Sequence, residues 1–215
     1  MKLLAIEMSR LTVLLHVGRS EGQLFLPQAV SMLNARYGFS SYPSSYDEIT
    51  SDRMDFKLGQ FEGSAIESLE LYGDGIIVTS RSDTDFIDRF FADLCQWIVD
   101  DLGLSIIKTH SIDRLYESNL IVETSKDVLK PLEAMASIGK LVEAELKKTS
   151  ELEVKYQPFG WAMAADQAEN PSLKPISFRI ERRLGTEFAM QQFITTAPLK
   201  TKQHMDVLKK LESLV

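Results

Sequence analysis

The sequence predicts an α+β fold: an antiparallel or mixed sheet built from hairpins, with three to four helices packed mainly on one face. Two observations lead there. Alternating apolar runs recur around glycine-rich or polar turns, and a helical apolar stripe follows each of the first two hairpins. Composition agrees, with 44% apolar and 26% charged residues in 215, ordinary values for a globular chain. That length suits one large domain, 1–215, better than two.

Lys2 to Val17 mixes aliphatics with Thr12 and Val13 and shows no helical stripe, so it reads as one or two largely buried strands. A short helix follows, opened by Pro27, striped by Ala29, Val30, Leu33 and Tyr37, and stopped by Gly38. Residues 39–50 have no period, and their serine, proline and aspartate mark a surface loop.

From there a hairpin-then-helix rhythm repeats. Met54, Phe56 and Leu58 alternate with polar residues, and Leu69 and Leu71 lead through Gly73-Asp74-Gly75 into Ile76 to Val78. Ser82 or Asp83 caps the next helix, whose core face carries Ile87, Phe90, Phe91, Leu94 and Ile98, with Trp97 at its edge. Ser105–Thr109 and Tyr116–Thr124 form the second pair of strands. The stripe Val128, Leu132, Met135, Val142 and Leu146 marks the next helix, and Gly139 on it allows a second backbone to come close.

In the third unit Leu152–Tyr156 and Phe159–Ala164 read as strands before a polar loop, 166–174. Ile176, Phe178 and Ile180 then alternate with polar residues. A three-residue turn to a partner strand, Phe188–Thr195, keeps Phe188, Met190 and Ile194 on the apolar face. A closing helix starts near Thr201 and turns Leu208, Leu211 and Val215 inward.

Charge is uneven. Residues 1–103 hold 8 Lys/Arg and 16 Asp/Glu, whereas 104–215 hold 16 and 15. An acidic half repels phosphate backbones, which argues against nucleic acid as a partner. A single cysteine, Cys95, rules out an internal disulfide and suits a reducing compartment. Glu7 and Arg10 break the first apolar run below signal-peptide length, and no later run approaches a membrane span, so a cytoplasmic protein is expected.

Motif chemistry is sparse. His16, His110 and His204 lack ligand spacing, and Asp83, Asp85 and Asp88 are better explained by helix capping than by a cation, so no metal is expected. Phosphate-binding loops and nucleophile elbows are missing, and no cofactor is expected. Cys95 has no basic neighbour in sequence and reads as a buried thiol.

Three features remain as candidate binding residues. Tyr42 and Tyr46 flank a Pro-Ser-Ser turn whose composition suits recognition surfaces. Trp161 belongs to an aromatic run with Tyr156 and Phe159. Arg179, Arg182 and Arg183 form a basic group in which Arg182 shares the apolar face of Ile180, where a guanidinium must be paired, solvated or offered to a ligand. A well-patterned core without a catalytic constellation leads to a protein-interaction subunit (adaptor, scaffold or inhibitor), with a protein partner or a second copy. The alternative is an anionic small-molecule site between sheet and helices, catalytic or not, anchored by Arg182.

Overall fold

The computed structural model describes residues 1–19, 25–108, 114–150, 154–166 and 175–215. Nine strands and five α-helices are found among them, and the strands pair mostly antiparallel, as an α+β chain should. The chain divides into two compact units: a larger one of residues 6–119 and 198–201, and a smaller one of residues 1–5, 120–197 and 202–215.

The first strand, β1 (Lys2–Arg19), is one continuous element of 18 residues. Within the larger unit Ser9, Leu11, Val13 and Leu15 are buried while the residues between them are half exposed, the period of two expected of a strand with one face on a core. Helix α1 (Leu26–Tyr37) follows, with proline in its first turn and Gly38 closing it at φ 62°. The segment that lacks a period contains a single turn of helix, α2 (Tyr46–Ile49). Its start is a capping box in which Ser45 Oγ accepts from the Glu48 amide and the Glu48 carboxylate accepts from the Ser45 amide.

Strands β2 (Arg53–Phe61), β3 (Ser64–Tyr72) and β4 (Gly75–Ser80) form a meander that joins β1 in the order β2-β3-β4-β1. Here the expected alternation through Leu58 fails. Leu58 has φ 54° and is exposed, and the buried pairs Phe56–Leu69 and Gly59–Ile66 lie three residues apart on each strand. The left-handed residue reverses which side chains face inward, and the Phe39 ring covers Gly59, where a Cβ would meet it at 2.5 Å.

Helix α3 (Thr84–Asp100) begins at Asp83, whose carboxylate accepts from the Phe86 amide at 2.8 Å. Its buried face, Phe86, Ile87, Phe90, Phe91, Leu94, Trp97 and Ile98, joins Leu11, Val13 and Val78 in one core. Each such side chain contributes roughly 1.5–3 kcal/mol relative to exposure. Tyr37 and Phe61 meet Phe90 edge-on at 4.9 and 5.6 Å. Strand β5 (Leu104–Lys108) pairs with the far end of β1.

In the smaller unit the strand order is β6 (Arg114–Glu123, from Leu120 onward), β9 (Gln192–Ala197), β8 (Phe178–Arg182) and β7 (Gly160–Met163). The β8–β9 connection is longer than the three residues expected. Phe188 to Met190 form a 3-10 turn outside the ladder, and Arg182 pairs with Phe193. Phe193, Thr195 and Ala197 therefore point inward, and Ile194 does not.

Helix α4 (Ala136–Thr149) is shorter than its stripe suggested. Val128 and Leu129 are buried in a turn, and Lys130–Met135 form a 3-10 turn containing Pro131. Helix α5 (Thr201–Leu214) buries His204 and Leu208. Val154 to Tyr156 are not in a strand; Thr109, His110, Leu152, Glu153 and residues 167–174 lie outside the described residues.

One ion pair in the larger unit predicts an acid response. Arg36 grips Asp93 with two nitrogens at 2.7 and 3.1 Å, and the Tyr37 hydroxyl donates to the same carboxylate at 2.6 Å. These donors, the guanidinium foremost, hold the Asp93 carboxyl below its ordinary range against the opposing effect of burial. A depressed carboxylate stabilises the fold above its unfolded pKa, and that stabilisation is lost as pH falls through the folded value. Urea unfolding between pH 7 and pH 3 should therefore show a smaller acid loss in Asp93→Asn than in the parent.

Candidate functional site

The Tyr42–Tyr46 loop is built on the outer edge of the larger unit's sheet. Ser41 bridges to Lys57 on β2, with the Lys57 amide donating to the Ser41 carbonyl at 2.8 Å. Pro43 is buried beneath the loop, Tyr42 is 39% exposed and Tyr46 is 75% exposed. Beside them Asp47, Arg53, Asp55 and Lys57 line a shallow depression of about 420 Å³. Arg53 is drawn to Asp55 at 2.6 Å and to Glu70 at 3.5 Å.

Trp161, Arg179, Arg182 and Arg183 lie in the smaller unit on β7, on β8 and just beyond it. Arg182 is 6% exposed. Its guanidinium donates to the Asp127 carboxylate at 3.3 Å, to the Phe188 carbonyl at 3.1 Å and to the Pro158 carbonyl at 3.3 Å. The Phe188 and Phe193 rings cover it at 4.7 and 5.5 Å. Its donors are thus directed at neighbours from three segments, which locks the long β8–β9 connection in place. Arg183 donates to the Gln192 side chain at 3.1 Å. Arg179 is exposed, and half-buried Trp161 packs on Phe178 at 5.4 Å, which meets His204 at 5.9 Å.

Two features lie apart from the binding residues singled out in the sequence. The first is α4. Gly139 does what its missing side chain suggested: a Cβ there would meet the Tyr156 carbonyl at 2.7 Å. The Glu143 carboxylate accepts from the Tyr156 amide on the same side. Away from that side Ile138 and Leu141 are 51% and 67% exposed, Met135 just before the helix is 52% exposed, and α4 contains no buried residue.

The second is a cavity of about 230 Å³ in the larger unit, between the sheet and helices α1 and α3. Among the described residues its wall includes no charged side chain, and Leu33, Phe56, Ile76, Leu94, Trp97 and Leu104 supply much of it.

The described residues contain no group of three or more His, Cys, Asp or Glu side chains placed to hold a metal. Burial pushes the Cys95 thiol up to about 11, away from the nucleophilic thiolate form. No described helix is long and apolar enough to cross a membrane. No protein-family model matches the chain, and no curated protein matches it.

Arg182 and Asp127 give a test of the smaller unit. Removing the buried guanidinium strands its partners, and removing the carboxylate leaves a buried charge short of a counterion. Arg182→Ala and Asp127→Ala should each lower unfolding free energy by about 2–4 kcal/mol. The double variant should cost less than their sum in denaturant titrations.

Proposed function

We propose that this chain is a protein-interaction subunit that associates through the uncovered face of α4, with a second copy of itself as the partner. The exposure of Ile138 and Leu141 on a helix with no buried residue carries the reading. A contiguous apolar stripe on a regular element marks an interaction surface, whereas apolar residues scattered singly do not.

The charge pattern along the helix favours self-association. Glu133 precedes α4 and Lys147 and Lys148 end it. Antiparallel pairing sets Ile138 beside Leu141 of the second copy, brings the acidic start of one helix near the basic end of the other, and opposes the two helix dipoles. A C2 interface requires such self-complementarity. So few side chains bury less than the roughly 800 Å² per partner of a standard interface, so the association is weak. Adaptor, scaffold and inhibitor roles all fit a subunit that works by presenting such a surface.

Sedimentation equilibrium over a concentration series tests this. The parent should dimerise in the micromolar range, and Leu141→Glu should weaken the dimer by about tenfold or more. Leu141 is exposed and glutamate favours helix, so the fold should be unaffected. A parent that stays monomeric to ~100 µM, well above the weak association expected of so small a patch, would sink the proposal. A dimer that survives Leu141→Glu but is lost in Tyr42→Ala/Tyr46→Ala would move the interface to that loop.

A further inference from the structure

We propose that the cavity in the larger unit is a binding site for a small apolar molecule carrying a cationic head, such as an alkyl or aralkyl amine. This rests on different residues from the α4 interface and stands or falls independently of it.

The inner chamber, about 230 Å³, is mostly apolar and has no charged side chain in its described wall. It does not end blindly. Leu26, Met54, Leu71, Tyr72 and Gly73 line it and also line a second, open depression of about 590 Å³. The outer depression is therefore the mouth of the inner one. Its remaining wall is Ile49, Thr50, Ser51, Asp52 and Asp74, and the two aspartates are the charged side chains on it. Both carboxylates are exposed, and neither takes part in an ion pair among the described residues. No lysine or arginine lines either chamber among those residues.

Each part selects a chemistry. An apolar chamber walled by Leu33, Leu94 and Trp97 takes hydrocarbon and rejects charge, because an ion there would lose its hydration without compensation. Two carboxylates at the entrance attract a cation and repel an anion, and the larger unit lies mostly in the acidic half of the chain. An amphiphile with its tail inside and an ammonium at Asp52 and Asp74 satisfies both conditions. An anionic amphiphile of the same length satisfies only the first.

Isothermal titration with n-octylamine, 1-octanol and octanoate on the whole chain at pH 8 tests the assignment. The amine should bind saturably and more tightly than octanoate. Ala29 lies on the cavity wall on α1, so Ala29→Leu and Ala29→Phe should lower amine and alcohol affinity in graded fashion. Melting curves and helical circular dichroism of both variants report whether the fold survives. Asp52→Asn/Asp74→Asn should weaken the amine by about fivefold and leave the alcohol unchanged. Octanoate binding as tightly as the amine overturns the cationic head. The absence of saturable amine binding, or binding indifferent to both Ala29 variants in folded protein, overturns the site.

Discussion

The pairing register of β1 in the larger unit constrains more of the molecule than any other contact. Leu11 faces Val78 and Val13 faces Ile76 across the β1–β4 ladder, and those four side chains form the floor on which α3 packs. Because side chains alternate with a period of two, a slip of one residue would turn Leu11, Val13 and Leu15 outward together. The ladder ends abruptly. Gly75 sits against the Val13 carbonyl, where a Cβ would approach to 2.7 Å, and the Leu15 amide donates to the Asp74 carbonyl at 3.1 Å. Beyond that point β1 takes β5 as its partner. The cavity adjoins this change of partner, with Ile76, Gly73, Val17 and Leu104 all on its wall. Side chains that fill a sheet–helix layer evenly along one continuous ladder have no single neighbour where the ladder changes.

The segment 198–201 shows how the larger unit accepts a distant stretch of chain. The Thr84 amide donates to Thr201 Oγ1 at 3.1 Å, and the Thr201 amide donates to Thr84 Oγ1 at 3.0 Å. Two helix N-termini thus supply each other's first missing acceptor. Close by, Asp88 accepts from Tyr116 at 2.7 Å, Arg114 at 3.1 Å and Lys200 at 2.7 Å. Asp88 had been explained in sequence as part of a capping cluster. Asp83 is the residue that caps, and Asp88 ties one helix to β6 and to this segment.

Legibility in the sequence followed the range of the interaction. The α3 stripe, the Gly38 stop and the Gly73-Asp74 turn were readable because each depends on neighbours within a few residues. Ser45-x-x-Glu48 carries the same kind of signal, a capping box, and was readable in principle even inside a segment without period. Leu58 was not, since its positive φ comes from how β2 meets Phe39 and β3, and leucine gives no local warning. Arg182 was legible as a problem, a guanidinium on an apolar face, but not in its solution. Asp127 lies 55 residues away, and the Phe188 carbonyl becomes available only because the β8–β9 connection bulges into a 3-10 turn.

Neither candidate site rests on the binding residues singled out in the sequence. A helical apolar stripe declares that one face avoids water; it does not declare what covers that face. For α3 the cover is the sheet of its own unit, whereas α4 turns Gly139, Glu143 and Leu146 toward its neighbours and leaves Ile138 and Leu141 outside. The distinction lies in which side of the helix can come close to another backbone, and Gly139 decides it. A residue with a Cβ at that position would push α4 off the Tyr156 segment, so the glycine fixes the helix's rotation and with it the direction of the apolar stripe. Exposure of that stripe is therefore a consequence of a specific close contact on the opposite side, which is what separates a built surface from a loosely packed helix.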